Sequence, residues 1–126
     1  MKLVLDGGAL IALERNDRAM WRRFKAALLG GEVPVTHGGI VGQAWRGRGS
    51  RQALLSVALA GVDVRPLDEG LGRASGVLLG VTRKSDVLDA ALVLLAEDGD
   101  RIVTSDPDDI ETLVAATGRH VELIPA

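Results

Sequence analysis

A chain of 126 residues with net charge −2 and no cysteine is long enough for one domain with a real core, and it excludes disulfide frameworks, zinc–thiolate sites and cysteine nucleophiles. Apolar residues make up 47%, yet Trp21, Phe24 and Trp45 are the only aromatics, so the core is expected to be built from Leu, Val, Ala and Ile. The N-terminal apolar stretch is too short for a signal h-region or a membrane span, which leads us to expect a soluble cytoplasmic protein with no membrane partner.

The first apolar run, residues 2–5, predicts a buried strand ending at Asp6, and residues 9–13 open a helix after Gly7-Gly8. Asn16-Asp17 breaks that helix and caps a second over 18–29, with Met20, Trp21, Phe24, Ala27 and Leu28 on one side and Gly30-Gly31 as its stop. Val33-Pro34-Val35 reads as a short extended piece, with proline at an edge or strand start. In 38–46 the apolar positions Ile40, Val41, Ala44 and Trp45 recur at helical spacing, weakened by three glycines. That glycine run lacks both the G-x-G-x-x-G spacing and a Walker lysine, so a tight loop packed under a helix is expected rather than a nucleotide loop. Trp45 is expected to be a core anchor rather than a base-stacking platform.

A basic, glycine-rich break over 47–50 precedes a helix over 51–60, with Leu54, Leu55, Val57, Ala58 and Leu59 as its buried set. Residues 62–67 alternate as a half-buried strand does, and Asp68 caps a helix running to about Val81, with Glu69 suited to its N-terminal dipole. Ser85 is expected to cap the next helix, and 102–104 to form the following strand. Asp106-Pro107 starts another helix that ends near Gly118, and 121–124 closes the chain as a strand. Strands alternating with helices predict one domain over 1–126: a three-layer α/β/α sandwich around a mostly parallel central sheet of about five strands.

Parallel sheets place functional groups at helix starts and at the carboxyl ends of strands. Asp6, Asp89 and Asp106 fall at such positions, and Asp86 stands three residues before Asp89 on the same first turn. A hard cation such as Mg²⁺ takes oxygen ligands, keeps several waters and needs only a few carboxylates. Two such ions about 4 Å apart could activate a water and stabilise the leaving oxygen of a phosphodiester. Taken singly, Asp68, Asp86 and Asp106 also read as helix N-caps. Asp6 is different, because an acid closing a buried strand must be hydrated, paired or liganded. His37 and His120 are too few and too far apart for a histidine metal site, and no G-x-S-x-G elbow surrounds Ser105. The net charge gives no general attraction to nucleic acid. Arg15, Arg18, Arg22, Arg23 and Lys25 early, and Arg46, Arg48 and Arg51 in the middle, set basic groups around the later acidic stretch.

The opening Leu3-Val4-Leu5-Asp6-Gly7-Gly8-Ala9-Leu10-Ile11-Ala12-Leu13, the helix start Asp89-Ala90-Ala91-Leu92-Val93 and the strand end Val103-Thr104-Ser105-Asp106 together resemble a PIN-domain protein, similar to the VapC ribonuclease toxins of bacterial toxin–antitoxin pairs. The resemblance covers nearly the whole length. It implies a metal-dependent endoribonuclease in which Asp6, Asp89 and Asp106 bind Mg²⁺ or Mn²⁺ and catalyse RNA cleavage. Thr104 would be a supporting hydroxyl, and Asp86 and Asp109 additional ligands or water-orienting groups. Arg15, Arg46 and Arg48 are the candidates for holding the RNA backbone. The implied partners are RNA, a small antitoxin that blocks the acidic groove, and a second copy of the chain in a homodimer. Asp6→Asn or Asp106→Asn is expected to abolish cleavage and leave the fold intact.

Two departures stand out. The family usually carries a glutamate where this chain has Gln43, and a hydroxyl residue is common near the first acid, where this chain has Gly7-Gly8. Gln43 offers a carbonyl oxygen but no negative charge, which lowers carboxylate repulsion and metal attraction alike. The alternative expectation is therefore a catalytically weak or silent PIN-like module that binds a partner protein or RNA. A small-molecule phosphatase is a third option, disfavoured because no Asp-x-Asp closes the first strand.

Overall fold

The computed structural model of the chain describes residues 1–126. β1 (Leu3–Leu5) leads into α1 (Gly7–Glu14) and α2 (Arg18–Leu29), and β2 (Val35–His37) into α3 (Gly38–Ala44) and α4 (Arg51–Ala60). β3 (Asp63–Arg65) precedes α5 (Glu69–Thr82) and α6 (Val87–Leu94), and β4 (Arg101–Thr104), α7 (Pro107–Thr117) and β5 (Glu122–Pro125) complete the chain. The five strands form one sheet in the order β3-β2-β1-β4-β5, and every pairing is parallel. The expected α/β/α sandwich is the fold, and its sheet is wholly rather than mostly parallel. Parallel neighbours need crossovers, and the helices that supply them cover the sheet, so the inner strands read as near-continuous apolar runs. Every residue of β1 is buried, as are Ile102, Val103 and Thr104 of β4.

The strand order reverses at β1, with β2 and β3 on one side and β4 and β5 on the other. Leu5 registers with Val103, so Asp6 and Thr104 leave the sheet side by side at the switch point, where open α/β sheets form their ligand crevice. The Asp6 N–H donates to the Val103 carbonyl at 3.1 Å, fixing that register to the last residue of the strand.

Local chemistry sets the helix boundaries. Asp17 accepts from Met20 N–H at 2.8 Å and Asp68 from Leu71 N–H at 2.9 Å, and each opens its helix as expected. Pro107 occupies the first turn of α7, and Gly118 ends that helix in the left-handed region at φ +71°. The core is a 25-residue apolar cluster in which only Met20 and Phe24 are not Leu, Ile, Val or Ala. No helix is long and apolar enough to cross a membrane.

Five local expectations are corrected. The second strand begins at Val35 and runs through Thr36 and His37, because Pro34 has no N–H to give the ladder and both polar side chains find buried acceptors. Residues 38–44 are helical, as the spacing of Ile40, Val41 and Ala44 indicated, so the glycines do not make a tight loop, and Gly39 is closely packed against His37 and Leu88. In α4 the buried face is Gln52, Leu55 and Ala58, and Val57 is 64% exposed, since a helix of this length turns only one stripe inward. The third strand is only three residues long, and its Asp63 and Val64 are exposed because it is a sheet edge. Asp86, not Ser85, caps α6, accepting from Leu88 and Asp89 N–H at 3.0 and 3.1 Å.

Candidate functional site

Asp6 is 6% exposed and holds the switch point together. As N-cap of α1, its Oδ1 accepts from Ala9 N–H at 2.9 Å, while its Oδ2 accepts from Ser105 N–H at 3.0 Å, so one carboxylate ties the start of α1 to the end of β4. No lysine or arginine pairs with it. The other buried aspartate, Asp100, lies at the opposite end of the same strands and is neutralised within the chain. Lys2 Nζ stands 2.6 Å from its Oδ2, and Lys2 N–H donates to its Oδ1 at 2.9 Å. Burial alone would push Asp100 up, but the Lys2 ammonium and the Lys2 and Glu97 N–H groups hold it below the usual carboxylate range. Of two buried acids on these strands, one carries its own cation and one does not.

Negative charge accumulates around the unpaired acid. Asp89, on the first turn of α6, is pushed up to about 6 by partial burial and then by the charges of Asp86, Asp106, Asp6 and Asp109. Asp106, at the start of α7, is also raised, first by desolvation and then by Asp109. Asp109 moves the other way, because Lys84 Nζ stands 2.9 Å from its Oδ1. The fold thus brings Asp6, Asp86, Asp89, Asp106 and Asp109 into one electrostatic neighbourhood. Arg83 and Lys84 line the same cavity of about 190 Å³ as Asp86, Asp89 and Asp109, and of the two Lys84 forms an ion pair there, on Asp109. Thr104, fully buried, accepts the Asp106 N–H on its Oγ1 at 2.9 Å and fixes the backbone of that acid.

Gln43 reaches the same place from α3. A Cβ on Gly7 would stand 2.5 Å from Gln43 Oε1, so the amide oxygen lies directly over the residue after Asp6. A Cβ on Gly8 would collide with the Ser105 side chain and stand 3.2 Å from Asp6 Oδ1. The Ser105 side chain therefore fills the space where a residue-8 side chain would begin. Glycine at position 8 suits the close approach of Ser105, whereas at position 7 the contact is with the movable end of Gln43.

His37, which spacing marked only as unsuited to a histidine cage, is a positioning residue. Its Nδ1 accepts from Gly39 N–H at 3.1 Å, which leaves the proton on Nε2 to donate to the Leu88 carbonyl at 2.9 Å. This bond locks α3, which carries Gln43, to the first turn of α6, which carries Asp89. Burial lowers the His37 pKa, against the Leu88 bond that raises it. Ser105, His37 and Lys84 escape sequence reading because their partners are remote in the chain and produce no periodic pattern.

The basic candidates divide. Arg15 shares a groove of about 430 Å³ with Gly8 and Ser105, beside the acids. Arg46 folds back on α3, its Nη1 donating to the Gly42 and Trp45 carbonyls at 3.2 and 2.8 Å. Arg48 is exposed and forms no ion pair.

The donors are of the oxygen type a hard divalent cation takes. Every available group is a carboxylate or amide oxygen, and the buried Asp6 lacks the countercharge that Asp100 possesses. No three Asp, Glu or His side chains stand grouped closely enough to hold one ion between them, so a divalent ion bound here would have to keep most of its waters. No protein-family model matches the chain, and no curated protein matches it either.

Proposed function

We propose that this chain is a metal-dependent endoribonuclease of the PIN-domain type, the toxin of a toxin–antitoxin pair acting in the cytoplasm. The observation that carries the reading is the buried, cation-less Asp6 at the switch point, with Asp89 and Asp106 adding charge beside it. Asp6, Asp89 and Asp106, which do not close on one ion as they stand, would bind a hydrated Mg²⁺ or Mn²⁺ largely through its waters, with Asp86, Asp109 and the Gln43 carbonyl oxygen at the margin. Bound there, such an ion would supply an acidified water and charge neutralisation at the phosphodiester. Asp6 fixes the crevice geometry by accepting the Ala9 and Ser105 N–H groups on its carboxylate, Thr104 holds Asp106 in place, and His37 keeps the Asp89 turn against α3. Arg15 and Arg48 bind the RNA backbone. A small antitoxin covering the acidic groove, and a homodimer, complete the expected partners.

A second reading, a silent PIN-like module that binds a protein or RNA, is favoured by Gln43 standing where a fourth acid would serve, and by carboxylates that do not converge. Asp106→Asn separates the two. Its side chain makes no capping bond, so the variant should melt no lower than the parent while losing RNA cleavage by at least about a hundredfold. Asp6→Asn is a poorer probe than sequence suggests. Asparagine has one acceptor for two backbone donors, so that variant loses about 1–3 kcal/mol of stability along with activity. Cleavage by Asp106→Asn at the parental rate sinks the assignment.

A further inference from the structure

The two tryptophans occupy opposite settings. Trp21 packs edge-on against Phe24 and donates its indole N–H to the Leu13 carbonyl at 3.0 Å, so it is a structural residue. Trp45 was expected in the core but is 40% exposed, and its indole N–H makes no hydrogen bond within the chain. Its indole nitrogen stands 3.6 Å from the position a Cβ would take on Gly47, whose φ is +77°. The chain turns there, and the ring is left with an open side.

The segment bearing Trp45 is held at both ends. At its start Gln43 lies over Gly7, at the acid end of α1. At its finish the buried Gln52 accepts from Arg46 and Gly47 N–H on Oε1 at 2.9 and 3.0 Å and donates from Nε2 to Glu14 at 2.6 Å, at the far end of α1. Residues 43–52 therefore run alongside α1 for roughly 10 Å, from Asp6 toward Arg15. Arg48 and Arg51 project from this track without ion pairs. A partly exposed indole followed within six residues by two exposed, unpaired arginines, on a loop pinned by hydrogen bonds to the buried Gln52, is the combination that receives unpaired bases and their phosphates.

We infer that Trp45 is a stacking platform for an unpaired base, with the neighbouring loop arginines Arg48 and Arg51 taking its phosphates, and that it makes this chain select single-stranded over duplex RNA. The inference rests on the nuclease reading for its choice of RNA but not for its test. In EDTA, where cleavage is stopped, tryptophan emission is followed as a short single-stranded RNA, or the same sequence as a duplex, is added. The single strand should quench emission and the duplex should not. Trp45→Ala should abolish the quench and weaken single-strand affinity about tenfold, with Trp45→Phe recovering most of it. Arg48→Ala should weaken both forms alike and lower the salt dependence by about one ion. Equal affinity of Trp45→Ala and the parent for the single strand overturns the proposal, as does equal quenching by the duplex. So does a concentration-dependent blue shift without RNA when no RNA quenches, which would mark a protein interface instead. A Trp45-dependent quench in a chain that never cleaves with Mg²⁺ supports the platform while removing the nuclease reading. Unchanged kcat/KM in Trp45→Ala removes the platform and leaves the nuclease.

Discussion

Asp89→Asn is expected to lower RNA cleavage by at least about a hundredfold and, at the same time, to raise the melting temperature by about 4 °C. The first effect follows from removing one of the acids proposed to bind the cation. The second follows from the direction in which the fold moves this carboxyl. Its pKa rises from 3.8 to about 6, so the folded state prefers the protonated form, and the ionised group opposes folding at neutral pH. That opposition is complete above pH 6, eases as pH falls through about 6, and is gone below 3.8. The gain from asparagine should therefore be present at pH 7 and vanish near pH 4. Asp89 is only partly buried, so solvent screens the effect to about 1 kcal/mol. Thermal melts of parent and variant across this range check the sign. A variant that melts lower at pH 7 would mean that Asp89 makes a stabilising contact and is not held there under strain.

Lys2→Met should be among the most damaging single changes outside the central core, costing about 3 kcal/mol. It leaves Asp100 with 5% exposure and no countercharge, although the Lys2 and Glu97 N–H groups still reach it. Asp100 is held below its ordinary value, so its contribution is present above pH 3.8 and is lost as pH falls further. Chemical denaturation at pH 7 should show the full deficit, and the two proteins should converge in acid. Asp100→Asn placed on Lys2→Met should restore part of the loss, because the unpaired charge is then gone. Mg²⁺ should not rescue Lys2→Met, because its defect lies at the opposite end of the strands from Asp6. Lys2 is thus the internal counterpart of the external cation proposed for Asp6.

The layered fold and nearly all of its elements were legible because each carries a local physical signature: apolar runs for β1 and β4, aspartate caps at Asp17 and Asp68, Pro107 and Gly118 bounding α7. The wholly parallel order follows once every strand is joined to the next by helices. What stayed hidden was non-local. Thr36 and His37 look too polar for an inner strand until their acceptors, the Leu5 and Leu88 carbonyls, are brought alongside. Ser85 and Asp86 are both capable caps, and only the backbone turn decides for Asp86. Trp45 satisfies the helical spacing of α3, yet it lies just past the last turn, where the chain leaves the core. In the site, Asp6, Asp89 and Asp106 were readable from their positions at strand ends and helix starts. The side chains that fit them together, Gln43 over Gly7 and Ser105 over Gly8, were not, since both meetings are made by the fold and not by spacing.

If the switch-point acids bind a divalent cation, as proposed, calorimetric titration of Mn²⁺ into the intact chain will register it. Saturable binding in the millimolar range or tighter is predicted, weakened by Asp89→Asn and strengthened by Gln43→Glu, which adds the absent charge beside Asp6. A parent chain that takes up no Mn²⁺ at millimolar concentration, with Gln43→Glu equally inert, would contradict the proposal.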